Sequence, residues 1–284
     1  MKEKQEIAIK HLSSAKFLTS SQFVDLNLYK NRGDVTNALK QLLDAKRPLI
    51  GKKNFQPNPS YGKVESIYYL TKFGKDYLVN NLNYKSDQIK YVNKDIDLFL
   101  NDYDHRKQTI DFYIKLSQWI ENIDGRIIFC NYYFDKVGNN RVKNKNKHVH
   151  ALNRIELKNG DSFIPDIITL FSIDEREYLF LFEQHNGNSV IRLQEQLQLH
   201  LQSLSEDTYE NKFGFKKSPR IAIVCENENV KNNAIKRLRQ DKLFDNSHNF
   251  FIFKCNEELQ QNFNENWSLI SGEKVSFTQP KSKD

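Results

Sequence analysis

The stretch that most constrains the fold is Ile164-Pro165-Asp166-Ile167-Ile168, followed after a polar gap by Tyr178-Leu179-Phe180-Leu181-Phe182-Glu183-Gln184-His185. Two apolar runs of strand length, joined by a turn over Ser172 to Glu177, predict an antiparallel pair. Such pairing sets Asp166 and Glu183 side by side at one end of a sheet. Adjacent carboxylates are hard oxygen ligands, able to hold a divalent cation such as Mg²⁺ against a phosphate. Two readings of the pair stand: metal ligands of a catalytic site that also includes His185, or solvated carboxylates at a strand end.

Around this pair the pattern alternates helix and strand. Ile110, Tyr113, Ile114, Leu116, Trp119 and Ile120 recur at helical spacing and stop at Asp124-Gly125. Arg126 to Tyr133 reads as a strand. Lys136 to Lys158 holds seven Lys and Arg against one acid, Glu156, and reads as a long basic hairpin or loop. His148 and His150 lie in it, and without a third ligand in sight a phosphate-facing role is favoured over metal. Ser189 caps a helix rich in Leu and Gln that packs in the core or against a second copy. Arg192 is its strong cation, and Gln194, Gln196 and Gln198 have no basic function to offer. Arg220 to Cys225 is a short apolar run, the mark of a central strand. A basic helix over Asn229 to Gln240, a strand at Phe250 to Phe253 and a helix at Glu257 to Phe263 follow. The tail from Ser271 is polar and expected to fray.

The N-terminal part has a different character. Residues 1–92 carry 16 Lys and Arg against 8 Asp and Glu, a balance of +8 in a chain whose total is +7. The remainder is close to neutral. A basic module on a neutral one is the footprint of nucleic-acid binding. Ile7, Ile9 and Leu12 suggest a first helix. Thr19 or Ser20 caps a second, and Asp34 a third carrying Val35, Ala38, Leu39, Leu42 and Leu43. A hairpin follows, from Pro48-Leu49-Ile50 through a Pro/Gly/Asn-rich tip to Ile67-Tyr68-Tyr69-Leu70, and then a further helix from Thr71. This order is that of a winged helix-turn-helix. Its third helix would present Thr36, Asn37, Lys40 and Gln41 to base edges, and its hairpin Lys52, Lys53 and Lys63 to phosphates.

No apolar run approaches the length of a membrane span, and the charged start is unlike a secretory signal. The three cysteines, Cys130, Cys225 and Cys255, lie in apolar runs and are expected as buried thiols in a reducing cytoplasm.

The Pro-Asp strand followed by Glu-x-His resembles the PD-(D/E)xK nucleases, with His185 where that motif has lysine. The order α-β-β-β-α-β matches their core. Tyr68-Tyr69-Leu70-Thr71 with Gly74, His105 ahead of the long helix, Pro165-Asp166, and Phe182-Glu183 ahead of the Gln/Leu-rich helix together resemble the replication-relaxation family of plasmid proteins. The expected fold is therefore α+β: a winged helix over residues 1–95, then a nuclease-like α/β domain over 96–284. The resemblance implies binding of double-stranded DNA near a transfer origin and assistance to a relaxase; the cysteines point to the cytoplasm, and the Leu/Gln-rich helix leaves a homodimer open. The competing functions are a metal-dependent DNA nuclease, which the missing lysine disfavours, and a transcriptional repressor or antitoxin.

Overall fold

The structure is a computed structural model and describes residues 1–57, 62–92, 102–137 and 150–278. It is a mixed α+β molecule that divides into two compact units, Met1–Ile114 and Lys115–Asp284. The boundary expected near residue 95 falls outside the described residues. None of the described helices is long and apolar enough to cross a membrane.

In the first unit, α1 (Glu3–Ala15) buries Ala8, Ile9 and Leu12, a spacing that places them on one face. After β1 (Phe17–Thr19), α2 (Ser20–Asp25) begins with a reciprocal cap. The Thr19 hydroxyl accepts from the Gln22 amide at 3.2 Å, and the Gln22 side chain accepts from the Thr19 amide at 2.9 Å. Helix α3 (Arg32–Leu43) buries Val35, Leu39 and Leu42. Its cap is Asn31, whose Oδ1 accepts from the Asp34 amide at 3.0 Å. Asp34, expected as the cap, stands instead in the first turn, where its charge faces the positive helix end. Strands β2 (Ile50–Lys53) and β3 (Ile67–Leu70) form an antiparallel hairpin, and β1 adds to the other edge of β3.

Helix α4 (Lys72–Leu82) shows why Leu-Thr-x-x-Gly works as a unit. The Thr71 hydroxyl donates to the Pro48 carbonyl at 2.6 Å and accepts from the Gly74 amide at 3.2 Å. One side chain thus caps α4 and ties it to the strand entering the hairpin. Gly74 sits so close that a Cβ would collide with the Leu49 carbonyl oxygen.

Helix α5 (Tyr103–Asn122) contains the division between the units. The second unit then runs β4 (Arg126–Tyr132), β5 (Lys136–Val137), β6 (His150–Ala151), β7 (Ile155–Glu156), β8 (Ser162–Phe163), β9 (Ile167–Ile173) and β10 (Arg176–His185). Next come α6 (Val190–Ser205), α7 (Thr208–Phe213), β11 (Arg220–Cys225), α8 (Glu228–Gln240), β12 (Phe251–Cys255), α9 (Asn256–Gln261), β13 (Trp267–Leu269) and β14 (Lys274–Val275). A seven-stranded sheet has the order β14-β13-β12-β11-β10-β9-β4. Its middle strands β10, β11 and β12 are parallel, and the flanking pairs are antiparallel. The β9–β10 turn is tighter than the six residues expected. Ile173 pairs with Arg176, and the two loop residues, Asp174 and Glu175, take positive φ of 47° and 64°. This left-handed pair matches the twist of the strands it joins.

Both faces of the sheet are covered. Leu193 and Leu197 of α6 and Val230, Ala234 and Leu238 of α8 pack on Leu179, Leu181, Ile221, Ile223, Phe251 and Phe253. Elsewhere Phe171, Phe180, Phe277, Phe263 and Trp119 form an aromatic layer, with Phe180 and Phe277 stacked at 4.1 Å. The tail is ordered through Thr278, contrary to the frayed end expected from Ser271, and residues 279–284 lie outside the described residues. Lys274–Val275 pairs with β13, and Phe277 is fully buried. Strands β13 and β14 and helix α7 are too short for periodicity to reveal.

Within the basic segment from Lys136 to Lys158, Lys136 opposes Ala151 and Val137 opposes His150, while Ile155–Glu156 near its end pairs with β8. Its centre, with His148, lies outside the described residues. Cys130, Cys225 and Cys255 are buried free thiols, as expected. Cys225 and Cys255 occupy paired positions on β11 and β12, and burial pushes the Cys225 thiol up to about 12.

Candidate functional site

Asp166 precedes β9 by one residue and Glu183 lies near the end of β10. The ladder between these strands runs as far as Phe182 with Ile167, so the next step of the register brings Glu183 opposite Asp166. The two are close enough for each carboxylate to affect the other, and the Asp166 amide donates to the Glu183 carboxyl. The pairing read from the sequence is therefore present at the carboxyl ends of the parallel strands, where sheets of this kind place ligands.

The surroundings of Glu183 are less expected. The side chain is 1% exposed. Its Oε1 lies 2.6 Å from Nε2 of His200, and its Oε2 accepts from the Gln196 side-chain amide at 2.6 Å. Burial, then repulsion from Asp166, pushes its pKa well above the usual carboxylate range, while the bonds from Asp166 and Gln196 act in the opposite sense. His200 is fully buried, and desolvation holds it down at about 3, so its ring is neutral at ordinary pH. Phe163 meets that ring edge to face, with centroids 4.6 Å apart. Nδ1 of His200 is buried with no hydrogen-bond partner among the described residues.

Asp166 is also engaged: its Oδ2 accepts from the Gln184 backbone amide at 2.7 Å. His185, two residues beyond Glu183 and on the same face of β10, is 3% exposed and stands in register with Cys225. Arg192 is turned to the backbone, its guanidinium donating to the Asn186 carbonyl at 3.2 Å. A cation held by Asp166 and Glu183 would have to share the Glu183 oxygens with His200 and Gln196. Among the described residues, no group of three or more His, Cys, Asp or Glu is arranged to hold a metal ion.

Sequence reasoning missed His200. The signal was present: Leu193, Leu197 and His200 share one helical face, at i, i+4 and i+7, with Gln196 beside them. The other two glutamines point elsewhere, Gln194 and Gln198 both donating to Asp241, at 2.5 and 3.1 Å.

In the first unit, Thr36, Asn37, Lys40 and Gln41 are all exposed on α3, at i, i+1, i+4 and i+5. Thr36 back-bonds to the Arg32 carbonyl at 3.2 Å, and Gln41 accepts from Gln5 at 3.3 Å. Asn37, Lys40 and Gln41 line a groove of about 860 Å³ with Lys2 and Lys4 of the α1 start. Lys52 is exposed on β2, with its ammonium 5.5 Å from the Tyr68 ring centroid. Lys53 is half-buried, and Lys63 is exposed just beyond the hairpin tip. Glu65 fastens this surface from beneath: it pairs with Arg32 at 2.8 Å and accepts from the Ser21 amide and hydroxyl, each at 3.0 Å.

Comparison with protein-family models, with curated proteins and with solved structures finds no match to this chain.

Proposed function

We propose that this protein binds duplex DNA through a winged-helix first unit and that its second unit is a PD-(D/E)xK-like domain that does not cut DNA efficiently. The carrying observation is the order of the first unit. A three-helix arrangement is followed by a lysine-bearing hairpin, and the exposed face of α3 is composed of Thr36, Asn37, Lys40 and Gln41. Those side chains suit base edges and phosphates, and the hairpin lysines suit the backbone. For the second unit, the support is the state of Glu183. Burial raises the pKa of Glu183, which disfavours the charged form that a cation would need, and both of its oxygens are already engaged by His200 and Gln196. His185 is also a weaker cation than the lysine it replaces, giving less stabilisation to developing phosphorane charge. The role implied by the family resemblance is that of an accessory factor: the protein binds near a transfer origin and helps a relaxase engage it.

Two measurements test this. In an electrophoretic shift on duplex DNA, Lys52→Ala with Lys53→Ala should weaken binding on every sequence. Unchanged affinity removes the hairpin from the reading. Supercoiled plasmid incubated with pure protein and Mg²⁺ or Mn²⁺ should remain supercoiled. Nicking that disappears in Asp166→Ala and Glu183→Ala makes the protein a nuclease instead. Stimulation of nicking only when a relaxase is added supports the accessory role.

A further inference from the structure

At the other end of the central sheet from Glu183 lies a cavity of about 400 Å³, where β10 and β11 begin. Its walls include three cations, Arg176, Lys217 and Arg220, and three aromatic rings, Tyr178, Phe215 and Phe250. One carboxylate, Glu177, reaches the lining and is exposed. None of the three cations forms an ion pair among the described residues. Arg220 is the informative one. It sits within the sheet, in register with Phe180, and one guanidinium nitrogen donates to the carbonyls of Ser276 at 2.9 Å and Phe277 at 2.8 Å. Its Nε is buried with no partner among the described residues. Burial lowers its pKa.

A partly desolvated arginine without a counter-ion is a costly arrangement. Placing two further cations on the same cavity adds repulsion. An anion in the cavity relieves both. The combined positive charge of Arg176, Lys217 and Arg220 matches the oxygens of a phosphate. The aromatic walls suit a flat ring stacked against them, and the volume falls within the usual range for small-ligand pockets. We propose that this cavity is a binding site for a small phosphorylated ring compound of the nucleoside monophosphate class. The site is separate from the Asp166–Glu183 end and independent of the DNA-binding surface of the first unit.

The test is isothermal titration calorimetry on the full chain at low salt. The probes are AMP, GMP, CMP and UMP, the four corresponding nucleosides, and inorganic phosphate. At least one monophosphate should bind, at least tenfold tighter than its nucleoside and than phosphate alone. Arg176→Ala with Lys217→Ala, both exposed positions, should weaken that binding at least tenfold while leaving the thermal melt in place. Arg220→Met should weaken it further. Lys52→Ala with Lys53→Ala should leave it unchanged. No binding of any monophosphate, or equal binding by wild type and the Arg176/Lys217 variant, would overturn the proposal. A nucleoside binding as tightly as its phosphate would also overturn it, because the cations would then have no part.

Discussion

Glu183 and His200 occupy one buried contact with opposite acid–base tendencies, and this shapes the pH response of the fold. His200 is held down at about 3 in the folded chain against an ordinary 6.5. The stability it permits is present above pH 6.5 and is lost as pH falls from there toward 3. Glu183 is raised well above the usual 4.5, so its contribution is fully present below 4.5 and is lost as pH rises through the raised value. Between those ordinary values the two slopes oppose each other. Replacing Glu183 by Gln should uncover the histidine slope, with stability rising more steeply with pH than in wild type over pH 5–6. Replacing His200 by Gln should give a slope of the opposite sign. Urea unfolding of the three proteins at several pH values measures this, and parallel slopes would refute it. The carboxylate half of the contact was readable because strand pairing follows from two apolar runs joined by a turn. The imidazole half was not, because which face of the α6 helix meets a given strand end is decided by the packing of Leu193 and Leu197, and that is a tertiary fact.

At the scale of elements, the strongest local signals were those in which one residue does two jobs. Thr71 caps α4 and grips the Pro48 carbonyl, and Gly74 allows that helix to lie on Leu49. Gly74→Ala should destabilise the first unit by about 1–3 kcal/mol through overpacking, and Thr71→Ala by about 1 kcal/mol or more through loss of the cap. Denaturant midpoints check both, and a neutral Gly74→Ala would mean that the Leu49 backbone gives way. Capping at Thr19, the hairpin and the parallel central strand β11 were legible from the same local chemistry. Two readings failed for want of it. Asn31 and Asp34 both suit a helix start, and only the extended backbone at Asn31 decides between them. The tail beyond Ser271 looks polar because its one large apolar residue, Phe277, stands alone in sequence. It is nevertheless completely buried against Phe180 and Trp119. Phe277→Ala should cost about 3–5 kcal/mol, measured by urea unfolding of the second unit. A frayed tail would predict almost nothing.

For the whole molecule, the uneven charge is the feature that bears on partners. The +8 balance of residues 1–92 contrasts with a near-neutral remainder. If Lys52 and Lys53 each meet a phosphate, removing them should flatten the dependence of log affinity on log salt by about 0.9 for each phosphate no longer neutralised. Titration of duplex binding across salt concentrations reads this directly, and a slope that does not change would assign the phosphates to other cations. The division into two units has a practical counterpart in the thiols. All three cysteines lie in the second unit and all are buried; the first unit contains none. An alkylating reagent therefore reports the opening of one half of the chain and is blind to the other. With Cys225 and Cys255 side by side on the innermost parallel strands, their modification times the parting of that sheet. The unmodified protein thus carries its own clock for the breathing of one unit, and mass spectrometry can read it without a label being engineered in.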